Sequence, residues 1–195
     1  MARPSKRDRI LDALEDELLD AGPEAPSLEA VAARAEVSKG GVLYHFPTKD
    51  ALLEALLRRW AGRAETELEA AAAVEGAAAA WLSTNTPPPG QEPTRDVQVA
   101  RSLAALVRSG PSSSLAGVVT ELAERWRSRL EAEVDDPVLA ETIRLVGDGI
   151  YYAHLVGAPA PDPDLLRRVR QRLLAGPTTG DGVGAARAKD GAETP

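Results

Sequence analysis

An all-α fold of roughly nine helices is what this 195-residue sequence predicts, on three observations. Apolar residues make up 44% of the chain but aromatics only 4%, and much of the apolar share is alanine, the strongest helix former. Apolar side chains recur at helical spacing in one segment after another, and no stretch alternates with the period of two that a strand requires. Proline and glycine punctuate these segments at helical lengths, without any internal repeat.

The first helix is expected over residues 5–21, where Ile10, Leu11, Leu14, Leu18 and Leu19 share a face and Gly22-Pro23 ends the pattern. A short second helix follows Ser27, a natural N-cap, with Glu29 near the positive end of the helix dipole. Val37 fills a turn, and Ser38 caps a third helix that runs through His45. Phe46-Pro47 ends that helix, and Thr48 caps the next. Leu52, Leu53, Leu56, Leu57 and Trp60 then open a pattern that alanine-rich sequence carries to Thr84, read as one long and one shorter helix interrupted at Gly62 and Gly76. Residues 86–93 hold four prolines and a glycine and must form a loop. Further helices are expected over 94–109, 112–134, 137–156 and, beyond the Pro159-Ala160-Pro161 break, 163–174. Residues 176–195 carry almost no bulky apolar side chain to offset the entropy of ordering and read as a disordered tail.

Composition narrows the chemistry. With no cysteine, neither a disulfide framework, a thiolate metal site nor a cysteine nucleophile is available. The two histidines, His45 and His154, lie far apart, and no glycine-rich phosphate loop or His-Glu metal spacing occurs, so an enzyme, a metal site and a bound cofactor are all unexpected. The paired acids Asp135-Asp136 and Asp162/Asp164 sit beside prolines at helix starts, where the helix dipole explains them. No run of roughly 18 apolar residues is present, which predicts a soluble, cytoplasmic protein without a membrane partner. The net charge of -7 argues against nucleic-acid binding by bulk electrostatics. Its distribution is uneven: Arg3, Lys6, Arg7 and Arg9 crowd the first nine residues, and Asp12, Glu15, Asp16, Glu17 and Asp20 follow at once. A basic arm on an acidic body suits docking one surface on DNA. The bland alternative for Arg3, Lys6 and Arg7 is a solvated charged face.

The informative segment is 27–53. Two short helices joined by a tight turn, the second opening on Ser38-Lys39-Gly40-Gly41 and ending on aromatic residues, have the layout of a helix-turn-helix whose second helix enters a major groove. Gly40 and Gly41 weaken an ordinary helix by roughly 1 kcal/mol each, so close approach to another backbone explains them better than packing. Lys39, Tyr44 and His45 supply polar and aromatic tips. Tyr44 faces either DNA or a small core, His45 either DNA or the surface, and Phe46 is read as core.

The run from Ser27 to Leu53, and above all Gly-Val-Leu-Tyr-His-Phe-Pro-Thr-Lys-Asp-Ala-Leu, resembles the DNA-binding domain of TetR/AcrR-family regulators over about residues 5–57. The resemblance implies that Lys39 and Gly41 meet base edges and that Tyr44 and His45 meet phosphate and groove wall. It also implies that Thr48 and the backbone of Lys49 clamp a phosphate at a helix N-terminus, with Ser27 a further phosphate contact. Gly41 departs from members with Thr or Ser there, which shifts specificity toward Lys39, the basic arm or DNA shape.

The implied organisation is a three-helix DNA-binding domain over 1–47, a helical ligand-sensing and dimerisation domain over 48–175, and the tail. The implied partners are a double-stranded operator, a small-molecule inducer, and a second copy held through about 137–174; the alanine-rich, aromatic-poor composition of the domain suits a lipophilic inducer. There Gly147, Gly149, Ala153 and Gly157 form a small-residue stripe beside Val146, Ile150, Leu155, Leu166, Val169 and Leu173. Trp60, Trp81, Arg108, Trp126, Asp148, Tyr151, Tyr152 and His154 are the candidate ligand contacts. The rival reading is a helical protein-interaction module whose reading head no longer binds DNA. Intact Lys39, Tyr44, His45 and Lys49 argue against it.

Overall fold

A computed structural model describes residues 5–21, 26–86, 93–109, 113–159 and 161–176. Among these, nine helices follow one another: α1 (Lys6–Ala21), α2 (Leu28–Arg34), α3 (Lys39–His45), α4 (Lys49–Glu75), α5 (Ala77–Thr84), α6 (Arg95–Ser109), α7 (Ser113–Glu133), α8 (Pro137–Leu155) and α9 (Pro163–Leu174). Arg3, the side chain of Arg108, most of the 86–93 loop and all but the first residue of the 176–195 tail lie outside the described residues. No helix among the described residues is long and apolar enough to cross a membrane.

The two glycines expected to interrupt the fourth helix behave differently. α4 runs unbroken through Gly62, which corrects that expectation. A Cβ there meets nothing within 4 Å, and the helix is held on its other side by buried Leu52, Leu53, Leu56, Leu57, Ala61 and Leu68. That burial outweighs the ~1 kcal/mol helix penalty of one glycine. Gly76 does end α4, because its φ of 86° lies where side-chain-bearing residues are strained. α5 then starts with no cap of its own, and Glu133 from the end of α7 supplies one. Its carboxylate accepts the Ala77 and Ala78 N–H groups at 2.5 and 3.0 Å.

Two apolar cores result. The first joins Ile10, Leu11, Leu14 and Leu18 of α1 to Val31, Val42 and Phe46, to Leu52–Leu57 of α4, and to Val99, Leu103, Leu106, Leu115 and Val118 of α6 and α7. The boundary expected at 47/48 therefore does not separate two cores, because the first turns of α4 belong to the same packed unit as α1–α3. The second core gathers Leu68, Ala77, Ala78, Trp81, Leu82, Trp126, Leu130 and Ile143 from α4, α5, α7 and α8.

Gly147 sits in this second core, which corrects its placement on the dimer stripe. A Cβ at Gly147 would lie 2.4 Å from Trp81 Nε1 and 2.5 Å from Trp81 Cδ1. The glycine makes room for the indole, whose N–H donates to the Arg144 carbonyl at 3.1 Å. Val146 and Leu173 likewise pack against this core. Gly147→Ala is expected to cost about 1–3 kcal/mol by overpacking, read as a lower denaturant midpoint, with Trp81→Leu in the same chain relieving part of the loss.

Candidate nucleic-acid interface and ligand-domain clefts

Local chemistry fixes the α2–turn–α3 unit. The Ser27 hydroxyl accepts the Ala30 N–H at 3.1 Å, and the Ser38 hydroxyl accepts that of Gly41 at 3.0 Å, so each short helix is capped by its own preceding serine. Between them α2 closes in a Schellman arrangement: Val37 N–H donates to Ala32 O at 3.0 Å and Glu36 N–H to Ala33 O at 3.2 Å. Glu36 adopts φ 54°, a conformation glycine would fill without strain. Arg9 braces this turn from α1 through the Ala35 carbonyl at 2.7 Å and the Glu36 carboxylate at 3.3 Å. Buried Val31, Val42 and Phe46 hold both helices on the core, leaving the opposite face of α3 outward.

That outward face carries most of the predicted contacts. Tyr44 is 85% exposed, and its ring meets His45 edge-on with centroids 5.2 Å apart. Ser38, Lys39 and Gly40 are exposed, while Gly41 and His45 are half-buried. A groove of about 430 Å³ brings Ser38, Gly41, Tyr44 and His45 together with Lys6 and Arg9 of α1 and Glu36 and Val37 of the turn. Arg7 lies over the Phe46 ring at 5.2 Å. A Cβ at Gly40 would meet only Ser38 Oγ, at 3.8 Å, so packing inside the chain does not call for glycine there. Thr48 accepts the Ala51 N–H at 3.0 Å and starts α4 beside this face.

Sequence reasoning missed Arg9 and Glu36 as walls of the groove, and Glu29 as the partner of Lys39. Arg9 was legible from its spacing, three residues after Lys6 on one helix face. The Lys39 ammonium donates to Glu29 at 2.6 Å and holds that carboxyl below its ordinary range.

The ligand-domain candidates do not converge on one cavity. Trp60 packs against the first core. Trp81 and Trp126 stack with ring centroids 5.6 Å apart inside the second. Asp148 is ion-paired to Arg144, which also binds Glu141 at 2.6 Å. Burial raises the Asp148 carboxyl's pKa, and Arg144 partly counters the shift. Tyr152 is 57% exposed and points away from the interior. These placements share one cause: aromatic and charged residues in a helical bundle also serve packing and i,i+4 pairing, and spacing alone does not separate the uses.

Tyr151 and His154 lie where α8 meets α6. Burial, reinforced by Asp96, pushes the Tyr151 phenol up to about 12. The His154 carbonyl accepts Arg101 Nη2 at 2.8 Å. Burial and the neighbouring Arg101 lower the His154 imidazole below 6.5, favouring its neutral form in the fold. The stability this contributes is fully present above pH 6.5 and is lost as the pH falls through that value toward the folded-state pKa. His154→Gln is expected to flatten that section of the unfolding free energy against pH, followed by urea melts at successive pH values.

A separate open cleft of about 720 Å³ lies between α4 and α7. Glu65, Glu69, Glu121 and Glu124 line it with Trp126, Arg125 and Arg129. The arginines cross it to glutamates, Arg125 to Glu65 at 3.0 Å and Arg129 to Glu69 at 3.6 Å. Arg129 also stands over the Trp126 ring at 5.3 Å.

A capped helix-turn-helix on a bundle of further helices has the layout of a helical DNA-binding regulator. Two family models agree: bacterial regulatory proteins of the tetR family match residues 10–56, and the tetracyclin repressor-like C-terminal domain matches 80–176. The chain is 30% identical to the multidrug binding protein EbrR in its complex with proflavin, over 87% of this chain and 99% of that one, with a TM-score of 0.59. Against EbrR complexed with malachite green the identity is 28% and the TM-score 0.71, over 87% and 98% of the two chains. A member of the TetR family from Streptomyces coelicolor A3 is 27% identical with a TM-score of 0.69, over the same shares. No curated protein matches the sequence. The chain belongs to the TetR family of transcription regulators and is not an enzyme.

Proposed function

We propose that the chain is a ligand-responsive repressor, two copies of which bind one pseudopalindromic operator in the cytoplasm and are released by a small lipophilic molecule. The observation that carries this reading is the outward face of α3, where the solvent-exposed ring of Tyr44 stands in a groove with Lys6, Arg9 and His45. Residues 1–47, with the start of α4, read DNA: Lys39 and Gly41 at base edges, Tyr44, His45, Ser27, Ser38, Thr48 and the Lys49 backbone at phosphates, and Arg3, Lys6 and Arg7 along the strand. Gly40 admits the DNA backbone.

Residues 48–175 sense and pair. The outward side of α8 supports pairing: exposed Val138, Leu145 and Tyr152 recur at intervals of seven, exposed Val156 follows at its C-cap, and Leu165 and Leu174 are exposed on α9. Such a dimer holds two α3 helices at the 34–36 Å, roughly one turn of DNA, that symmetric half-sites require. EbrR is bound to malachite green, ethidium and proflavin in its complexes, all aromatic molecules. The α4–α7 cleft with Trp126 on its wall suits the same chemistry here.

Selection of bound fragments from a random duplex pool tests the reading. The expected result is a two-fold symmetric motif, held with an affinity that falls steeply with salt and released by malachite green. Failure to enrich any motif contradicts it.

A further inference from the structure

Glu15, in the middle of α1, is the one charged side chain buried among the described residues, at 5% exposure. Three guanidinium groups from α4 and α6, both packed on α1, surround it. Arg59 Nη2 donates to its carboxylate at 2.7 Å, Arg63 Nη2 at 2.9 Å, and Arg95 Nε stands at 3.7 Å. The same arginines carry outer partners: Arg59 binds Asp12 at 2.7 Å, Arg63 binds Asp96 at 2.9 Å, and Arg95 binds Asp16. Thus Asp12, Glu15 and Asp16, on one side of α1, are laced to two successive turns of α4 and to the first residue of α6.

This network is an inefficient way to gain stability. Removing a carboxylate from water costs several kcal/mol, which its ion pairs offset only with complete hydrogen bonding, and a well-packed apolar residue commonly does as well. Here the bonding is incomplete, since Arg59 Nε and Arg63 Nε are buried without a partner among the described residues. What such a network supplies and an oily contact does not is direction. Apolar contacts are non-directional, whereas bonds of 2.7 and 2.9 Å from adjacent turns of α4 fix both the height and the rotation of α1.

We propose that Glu15 is a positioning residue: it pins the reading head to the rest of the chain at one angle, and so sets which half-site spacing a pair of heads accepts. The second half of this proposal rests on the dimeric repressor reading above. The first half does not.

The chain has no cysteine, so spin labels can be placed at will. Ala33→Cys on exposed α2 and Val74→Cys near the end of α4, in labelled chains diluted with unlabelled ones, report the head-to-body distance. The expected result is one narrow distance population in the parent, a second displaced population in Glu15→Gln, and no change in Arg34→Gln. Arg34 makes its ion pairs to Glu17 and Asp20 within the head alone. On the selected operator, one base pair inserted between half-sites should weaken the parent about tenfold or more and Glu15→Gln clearly less.

An unchanged distance distribution in folded Glu15→Gln overturns the pinning role. An unchanged spacing profile beside an altered distribution overturns its effect on operator choice. Failure of the parent to bind any duplex counts against the repressor reading and leaves the distance result standing. If Glu15→Gln does not fold, Arg95→Gln, which removes the exposed limb of the network, takes its place with the same expected and contrary results.

Discussion

Trp126→Ala is expected to lower the unfolding free energy by about 3–5 kcal/mol, read as a drop in the urea midpoint with an unchanged slope. Trp126 is 2% exposed and is the largest fully buried side chain among the described residues. One of its faces stacks on Trp81, and Leu68, Leu82, Leu130 and Ile143 complete the same core. Truncation leaves a cavity that four packed helices border, and they relax into it only in part. The neighbouring indole suffers as well, because Trp81 is already pressed against Gly147 on its other side. Trp126→Phe keeps most of the buried volume and removes an indole N–H that has no partner among the described residues, so its cost should be far smaller. Equal losses for Ala and Phe would show that packing is not what Trp126 contributes.

The second large effect belongs to the outward face of α3. Tyr44→Ala should weaken DNA binding by about 1–3 kcal/mol on operator and random duplex alike, as a phosphate contact does, while Lys39→Ala should also narrow the gap between operator and random duplex. Stability offers the control. Tyr44 is 85% exposed, so its truncation should leave the unfolding free energy within about 0.5 kcal/mol of the parent. Anisotropy titrations of both variants on both duplexes check the division of roles, and equal losses everywhere for both variants would contradict it. Lys39 carries a further signature: its ammonium must leave Glu29 to reach a base, so Glu29→Gln should raise affinity for operator more than for random duplex.

Which parts of this molecule are legible in its sequence follows from the range of the interactions involved. Helix ends are set within a few residues, by Ser27, Ser38, Thr48, Asp136 and Asp162 caps and by proline and glycine stops, and such ends read correctly. The reading head is legible for the same reason, being almost entirely local: two caps, one turn and one apolar face. Gly62 and Gly147 show where local reasoning stops. A glycine's meaning depends on what lies across from it, solvent at Gly62 and the Trp81 indole at Gly147. The ligand domain is least legible, because its tryptophans meet across α5 and α7 and its glutamates face arginines from another helix, pairings that chain spacing does not encode. The buried Glu15 cluster belongs to the same category. Its carboxylates read as one more acidic stretch until α4 and α6 bring arginines to them.

The central claim is that two copies of α3 read one duplex. Sedimentation equilibrium of the protein with a labelled duplex carrying the selected motif, under conditions where the duplex is saturated, tests it most directly. The account predicts a complex whose mass is one duplex plus two chains, with a duplex cut to a single half-site bound far more weakly. A saturated complex holding one chain, or equal affinity for the half-site and the full site, would contradict it.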